Sequence, residues 1–110
     1  MTFVPLFVDV EGMRVVVFGG GSVGTRRALM FASAGASVVV VADSFTQELE
    51  VSARAGKVEL VRRRLSPGDP IDDLLRRANL VVVATSDPEL NHYVASQALA
   101  RGLLVNNATE

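Results

Sequence analysis

The chain has 110 residues, of which 49% are hydrophobic and 21% charged, with a formal net charge of −1. This predicts one globular domain, 1–110, with a modest core, and excludes a disordered chain. The near-zero charge gives no electrostatic basis for binding nucleic acid or an anionic membrane surface. With no cysteine and one histidine, His92, a disulfide framework, a Cys nucleophile and an all-protein transition-metal site are excluded. No basic segment followed by an apolar core opens the chain, and no apolar run nears the ~20 residues of a membrane span. The expectation is an intracellular, cytoplasmic protein.

In chain order, Phe3, Val4, Leu6 and Phe7 are too apolar for a free tail. They are expected to cover the sheet or form a short edge piece, with Pro5 limiting strand pairing. Glu11-Gly12 reads as a turn. Arg14 to Phe18 is a continuous apolar strand, as in a parallel sheet buried on both faces. It runs into Gly19-Gly20-Gly21-Ser22-Val23-Gly24, and a helix is predicted from Ser22 to Ala34. Gly19, Gly21 and Gly24 have the G-x-G-x-x-G spacing of a dinucleotide-binding turn. Gly19 permits the tight turn, Gly21 lets backbone reach a pyrophosphate, and Gly24 lets the helix pack on the strand. The free N–H groups and positive dipole end of the helix then face the phosphates. Arg26 and Arg27 sit near that end, against the macrodipole, and read either as an anion-holding pair or as two solvated arginines.

Gly35 is the predicted helix stop. Ser37 to Ala42 is a second strand containing four valines. Asp43 follows, 19 residues beyond Gly24, where an acidic residue accepts hydrogen bonds from the adenosine ribose and favours NAD over NADP. The other reading is that Asp43 caps the next helix. Ser44 stands beside it with a second hydroxyl.

Thr46 to Ala55 is predicted as a short helix and Val58 to Leu65 as a weaker strand. Arg62-Arg63-Arg64 reads as a solvated edge. Ser66 to Pro70 is a loop, and Ile71 to Arg77 a short helix. Leu80 to Ala84 is an apolar strand ending in Thr85-Ser86-Asp87-Pro88, where Ser86 or Asp87 caps a helix with Pro88 at its first position. That helix carries Asn91, His92, Val94, Ala95 and Leu99 and stops at Gly102; His92 reads as solvent-facing or partly packed. Leu103 to Asn107 is the fifth strand.

Right-handed crossovers order these strands 3-2-1-4-5, a Rossmann-type doubly wound α/β fold. Ligands of such sheets sit at the carboxyl ends of the strands. The ends of the first, second and fourth strands carry Gly19 to Gly24, Asp43-Ser44 and Thr85. Three segments thus converge on one crevice, and NAD is the ligand that this set fits.

Three stretches resemble a known family. Phe3-Val4-Pro5-Leu6-Phe7 is similar to the Leu-Pro-Leu/Ile-Phe start of the N-terminal domains of siroheme synthases, the precorrin-2 dehydrogenases. Val17 to Arg27 resembles that family's Gly-Gly-Gly-x-Val-Ala-x-Arg-Lys segment. Val83 to Asn91 resembles its Ala-Ala-Thr-Asp-Asp-Pro-x-Leu-Asn segment, and Val105-Asn106 matches the start of its Val-Asn-Val-Val-Asp stretch.

The resemblance implies NAD-dependent oxidation of the tetrapyrrole precorrin-2 to sirohydrochlorin, with iron insertion in some members. It places the cofactor at Ser22-Val23 and Asp43-Ser44, with Thr85 beside it. The family's central Asp after the fifth strand falls on Thr109 here, which leaves Glu110 as a displaced catalytic candidate. Family members continue into a dimerisation segment and a helical part that completes the tetrapyrrole site, so this chain is read as the NAD-binding part. The fifth strand's bare edge suits either solvent or a partner chain in a homodimer. The alternative function is a non-catalytic NAD(H)-sensing module.

Overall fold

Three valine-rich strands meet at the centre of the molecule, and their burial sets the architecture. The computed structural model describes residues 2–109. Strand β1 (Arg14–Phe18) pairs with β2 (Ser37–Ala42) on one side and β4 (Leu80–Val83) on the other. β3 (Glu59–Arg62) lies outside β2, and β5 (Leu104–Asn107) outside β4. All four pairings are parallel, in the expected order β3-β2-β1-β4-β5.

Alternation along the strands divides the core into two layers. Val15, Val17, Val38, Val40 and Val82 face helices α1 (Ser22–Ser33) and α2 (Gln47–Arg54), with Ala28, Phe31 and Leu49 packed against them. Val16, Phe18, Val39, Val41, Val81 and Val83 face the opposite layer, which holds α3 (Asp72–Leu75) and α4 (Pro88–Ala100). Burial on both faces explains why β1, β2 and β4 have no polar alternation.

Several boundaries shift. Gly35, at φ +90, follows the Ala34 cap as expected of a C′ glycine. β3 is shorter than expected. Past Arg62 the ladder is extended by Arg63 N–H to the Ala42 carbonyl at 2.9 Å. On α4, Leu99 is 62% exposed although its neighbour Ala98 is buried.

The N-terminal expectation is overturned. Phe3, Val4, Leu6 and Phe7 form no strand and lie exposed, Phe7 fully so. Gly12 N–H bonds the Gly35 carbonyl and pins the chain at the N-terminal end of β1. Val10 joins the packed layer, while residues 2–9 lie exposed.

Candidate functional site

A cavity of about 610 Å³ opens at the carboxyl ends of the strands. Its walls are Gly19–Val23 after β1, Asp43-Ser44 after β2, Arg63–Leu65 after β3 and Ala84–Asp87 after β4, with Thr109 beyond β5. Every cofactor-site residue expected from the sequence borders it except Gly24, which lies beneath.

The four glycines of the turn answer to different constraints. Gly19 adopts φ +127, a region closed to most side chains. A Cβ there would also collide with the Ala84 carbonyl of β4. A Cβ on Gly24 would overlap the Gly19 carbonyl oxygen, so this glycine lets α1 cross the end of β1 at contact distance. Gly20 is fixed by the second loop: its Cβ would strike the Ser44 carbonyl. Gly21 differs from all three, because a Cβ there meets nothing within 4 Å.

Gly21 is the N-cap of α1 and offers no side chain to the first-turn N–H groups, and no acidic residue occupies that turn. By contrast, Thr46 caps α2 through Leu49 N–H, and Asp87 caps α4 through Glu89 and Leu90 N–H groups. The 12-residue α1 thus presents uncompensated donors and a positive dipole end to the cavity. Open space over Gly21 together with these donors fits the pyrophosphate of a dinucleotide. Arg26 is exposed and Arg27 half-buried, and neither borders the cavity.

Buried polar side chains hold the loops in place. Thr25, 3% exposed, donates its hydroxyl proton to the Gly21 carbonyl at 2.7 Å and pairs with the Thr46 hydroxyl at 2.7 Å. One side chain thus joins the first turn of α1 to the cap of α2. Asn91, 5% exposed, accepts from Thr85 N–H at 3.1 Å and from the Thr85 hydroxyl at 2.7 Å, and returns an N–H to the Thr85 carbonyl at 3.0 Å. The Thr85 hydroxyl also accepts from Asp87 N–H. It is therefore occupied by protein partners, and what Thr85 does at the crevice is fix the β4–α4 loop. Sequence reasoning missed Thr25, Thr46 and Asn91 as supports.

Asp43 does not cap α2; that position belongs to Thr46, which removes the structural alternative for the carboxylate. Asp43 and Ser44 are exposed on the cavity wall.

The arginine run departs from a merely solvated edge. Arg62 donates to the Asp43 carbonyl at 2.9 Å and lies 5.1 Å from the Phe45 ring centroid. Arg63 forms a two-pronged pair with Asp73, 2.6 Å at its closer contact. The hydrogen bond from Arg63 holds the Asp73 carboxyl below its ordinary range, with the nearby charge adding to it. Arg64 reaches the cavity wall.

His92 is exposed on α4, as expected. Glu110 lies outside the described residues; its neighbour Thr109 is exposed on the rim.

The strand order, the glycine turn and the open helix end define a Rossmann-type α/β domain of the dinucleotide-binding class. The family model described as "Putative NAD(P)-binding" matches residues 6–110, and the chain belongs to that NAD(P)-binding family.

Its relatives carry the names that the motifs suggested. The chain is 41% identical over 106 residues to a siroheme synthase from Chromobacterium violaceum, covering 96% of this chain and 22% of that protein. It is 37% identical over 106 residues to a precorrin-2 dehydrogenase from Methanosarcina barkeri, covering 94% and 47%. The solved structure of SirC, a precorrin-2 dehydrogenase, superposes with a TM-score of 0.82 at 29% identity, covering 98% of this chain and 50% of that one. The chain therefore spans about half the length of the precorrin-2 dehydrogenases and about a fifth of the siroheme synthases it matches.

Proposed function

We propose that this chain is the NAD-binding domain of a cytoplasmic precorrin-2 dehydrogenase, acting on a tetrapyrrole in siroheme formation. The observation that carries the reading is the uncapped end of α1 beneath open space at Gly21, in one cavity with Asp43 and Ser44. Relatives that share this half of their length are named for that chemistry.

In this reading the N–H groups of Ser22 and Val23 and the bare backbone of Gly21 bind the pyrophosphate. Asp43 accepts the ribose hydroxyls, which favours NAD over NADP. Ser44 lines the same end. Thr85, held by Asn91, sets the wall past which the nicotinamide extends. Held by these residues, NAD⁺ would supply hydride-accepting chemistry, with precorrin-2 and NAD⁺ giving sirohydrochlorin, NADH and a proton. Glu110, which follows in sequence the position where the family carries its central Asp, is the displaced catalytic candidate. Residues beyond the matched half of the relatives complete the tetrapyrrole site, and a second copy pairs along the bare edge of β5.

The test is a chimera in which residues 6–110 replace the matched half of the Methanosarcina barkeri enzyme. It is expected to oxidise precorrin-2 and form NADH in equal amount. A folded chimera that binds NAD and yields no sirohydrochlorin contradicts the reading and leaves the NAD(H)-sensing alternative.

A further inference from the structure

We propose that Arg64 binds the adenosine half of the cofactor, with its guanidinium laid on the face of the purine base. This rests on the NAD reading above and adds to it a residue that the glycine turn and Asp43 do not supply.

Strand parity places the side chain. Leu60 packs in the α1–α2 layer, while Val61 and Leu65 pack in the α3–α4 layer. Arg63 shares the parity of Val61 and Leu65, and its guanidinium is bound by Asp73 on α3. Arg62 shares the parity of Leu60 and is taken up by Phe45, the Asp43 carbonyl and Glu50 at 3.6 Å. Arg64 follows Arg62 in parity, but it lies past the last ladder bond, from Arg63 N–H to the Ala42 carbonyl. It therefore stands over the carboxyl end of the sheet, beside the Asp43-Ser44 loop, and borders the same cavity. Among the described residues it makes no hydrogen bond or ion pair.

With the pyrophosphate over Gly21 and the ribose at Asp43, the next group outward along this wall is the base. A flat, permanently charged guanidinium is suited to a purine face. A 2′-phosphate at the same place would be set against the Asp43 carboxylate, which disfavours it as the partner.

Calorimetric titration of NAD, ADP-ribose and NADP into the wild type, Arg64→Ala and Arg64→Lys tests this. Arg64→Ala is expected to weaken NAD and ADP-ribose alike, by roughly fivefold, the scale of one solvent-exposed cation–π contact. Arg64→Lys, which keeps the charge but loses the plane, is expected to fall short of wild type on both ligands. Because the side chain is exposed, the melting temperature stays unchanged in both variants. Unchanged binding of ADP-ribose by Arg64→Ala overturns the inference. So does wild-type affinity in Arg64→Lys, or a loss confined to NADP, which would mark a 2′-phosphate contact. A wild-type chain that binds neither NAD nor ADP-ribose overturns the NAD reading itself, and the inference with it.

Discussion

Asn91 on α4 closes three hydrogen bonds with Thr85 at the end of β4, using both ends of its amide. The loop that follows the strand is thereby fixed by a residue in the first turn of α4, six positions further along the chain. Asn91→Ala leaves the Thr85 N–H and carbonyl without these partners and is expected to cost about 1–3 kcal/mol, read from urea denaturation. Asn91→Asp is expected to lose stability as well, because a carboxylate cannot donate to the Thr85 carbonyl. An unchanged midpoint in both variants would contradict this role.

In the proposed function Asp43 carries the cofactor preference. The helix cap belongs to Thr46, so a lost cap would not explain a loss of ligand affinity on changing Asp43. Asp43→Ala is expected to weaken NAD by roughly tenfold, about one hydrogen bond to a charged group, with little effect on melting. NADP should lose less, so discrimination between the two narrows. Wild-type protein that binds NADP as tightly as NAD in calorimetry would contradict the assignment.

The Arg63–Asp73 pair ties the end of β3 to α3 and gives a pH signature. Asp73 has its pKa lowered in the folded protein by the hydrogen bond from Arg63. The stability it contributes is therefore present above the ordinary carboxylate range of about 3.9 and is lost as pH falls through the lower, folded value. Asp73→Asn should melt below wild type at neutral pH, with the gap closing in strong acid. The gap should also shrink in salt, since both groups are partly exposed. A gap independent of pH would contradict the pairing.

Much of the fold is legible in the residues themselves. The valine runs of β1, β2 and β4 have no polar alternation because both sheet faces are covered, and crossover handedness then fixes the strand order. Gly19 and Gly24 are readable because a turn and a helix crossing each require a missing Cβ. Gly20 is not, since its constraint comes from the Ser44 carbonyl in another loop. Thr25 and Asn91 look like ordinary helix residues until tertiary packing puts a threonine cap and a strand end beside them. Arg62, Arg63 and Arg64 read as one charge run, yet strand parity sends the first two to different faces. Phe3 to Phe7 shows the reverse failure: apolar composition suggests burial, and Phe3, Val4, Leu6 and Phe7 lie exposed.

In the proposed function cofactor binding turns on Gly21. Its Cβ position is empty of protein, whereas that of Gly24 overlaps the Gly19 carbonyl. The decisive measurement is NAD affinity beside melting temperature for Gly21→Val, with Gly24→Ala as the contrast. Gly24→Ala is expected to destabilise the fold by about 3 kcal/mol, the upper range for overpacking. Gly21→Val is expected to keep the fold, within about 1 kcal/mol of wild type, and to weaken NAD by more than about tenfold, since the side chain fills the pyrophosphate's space. A folded Gly21→Val protein that binds NAD as the wild type does would contradict the central claim.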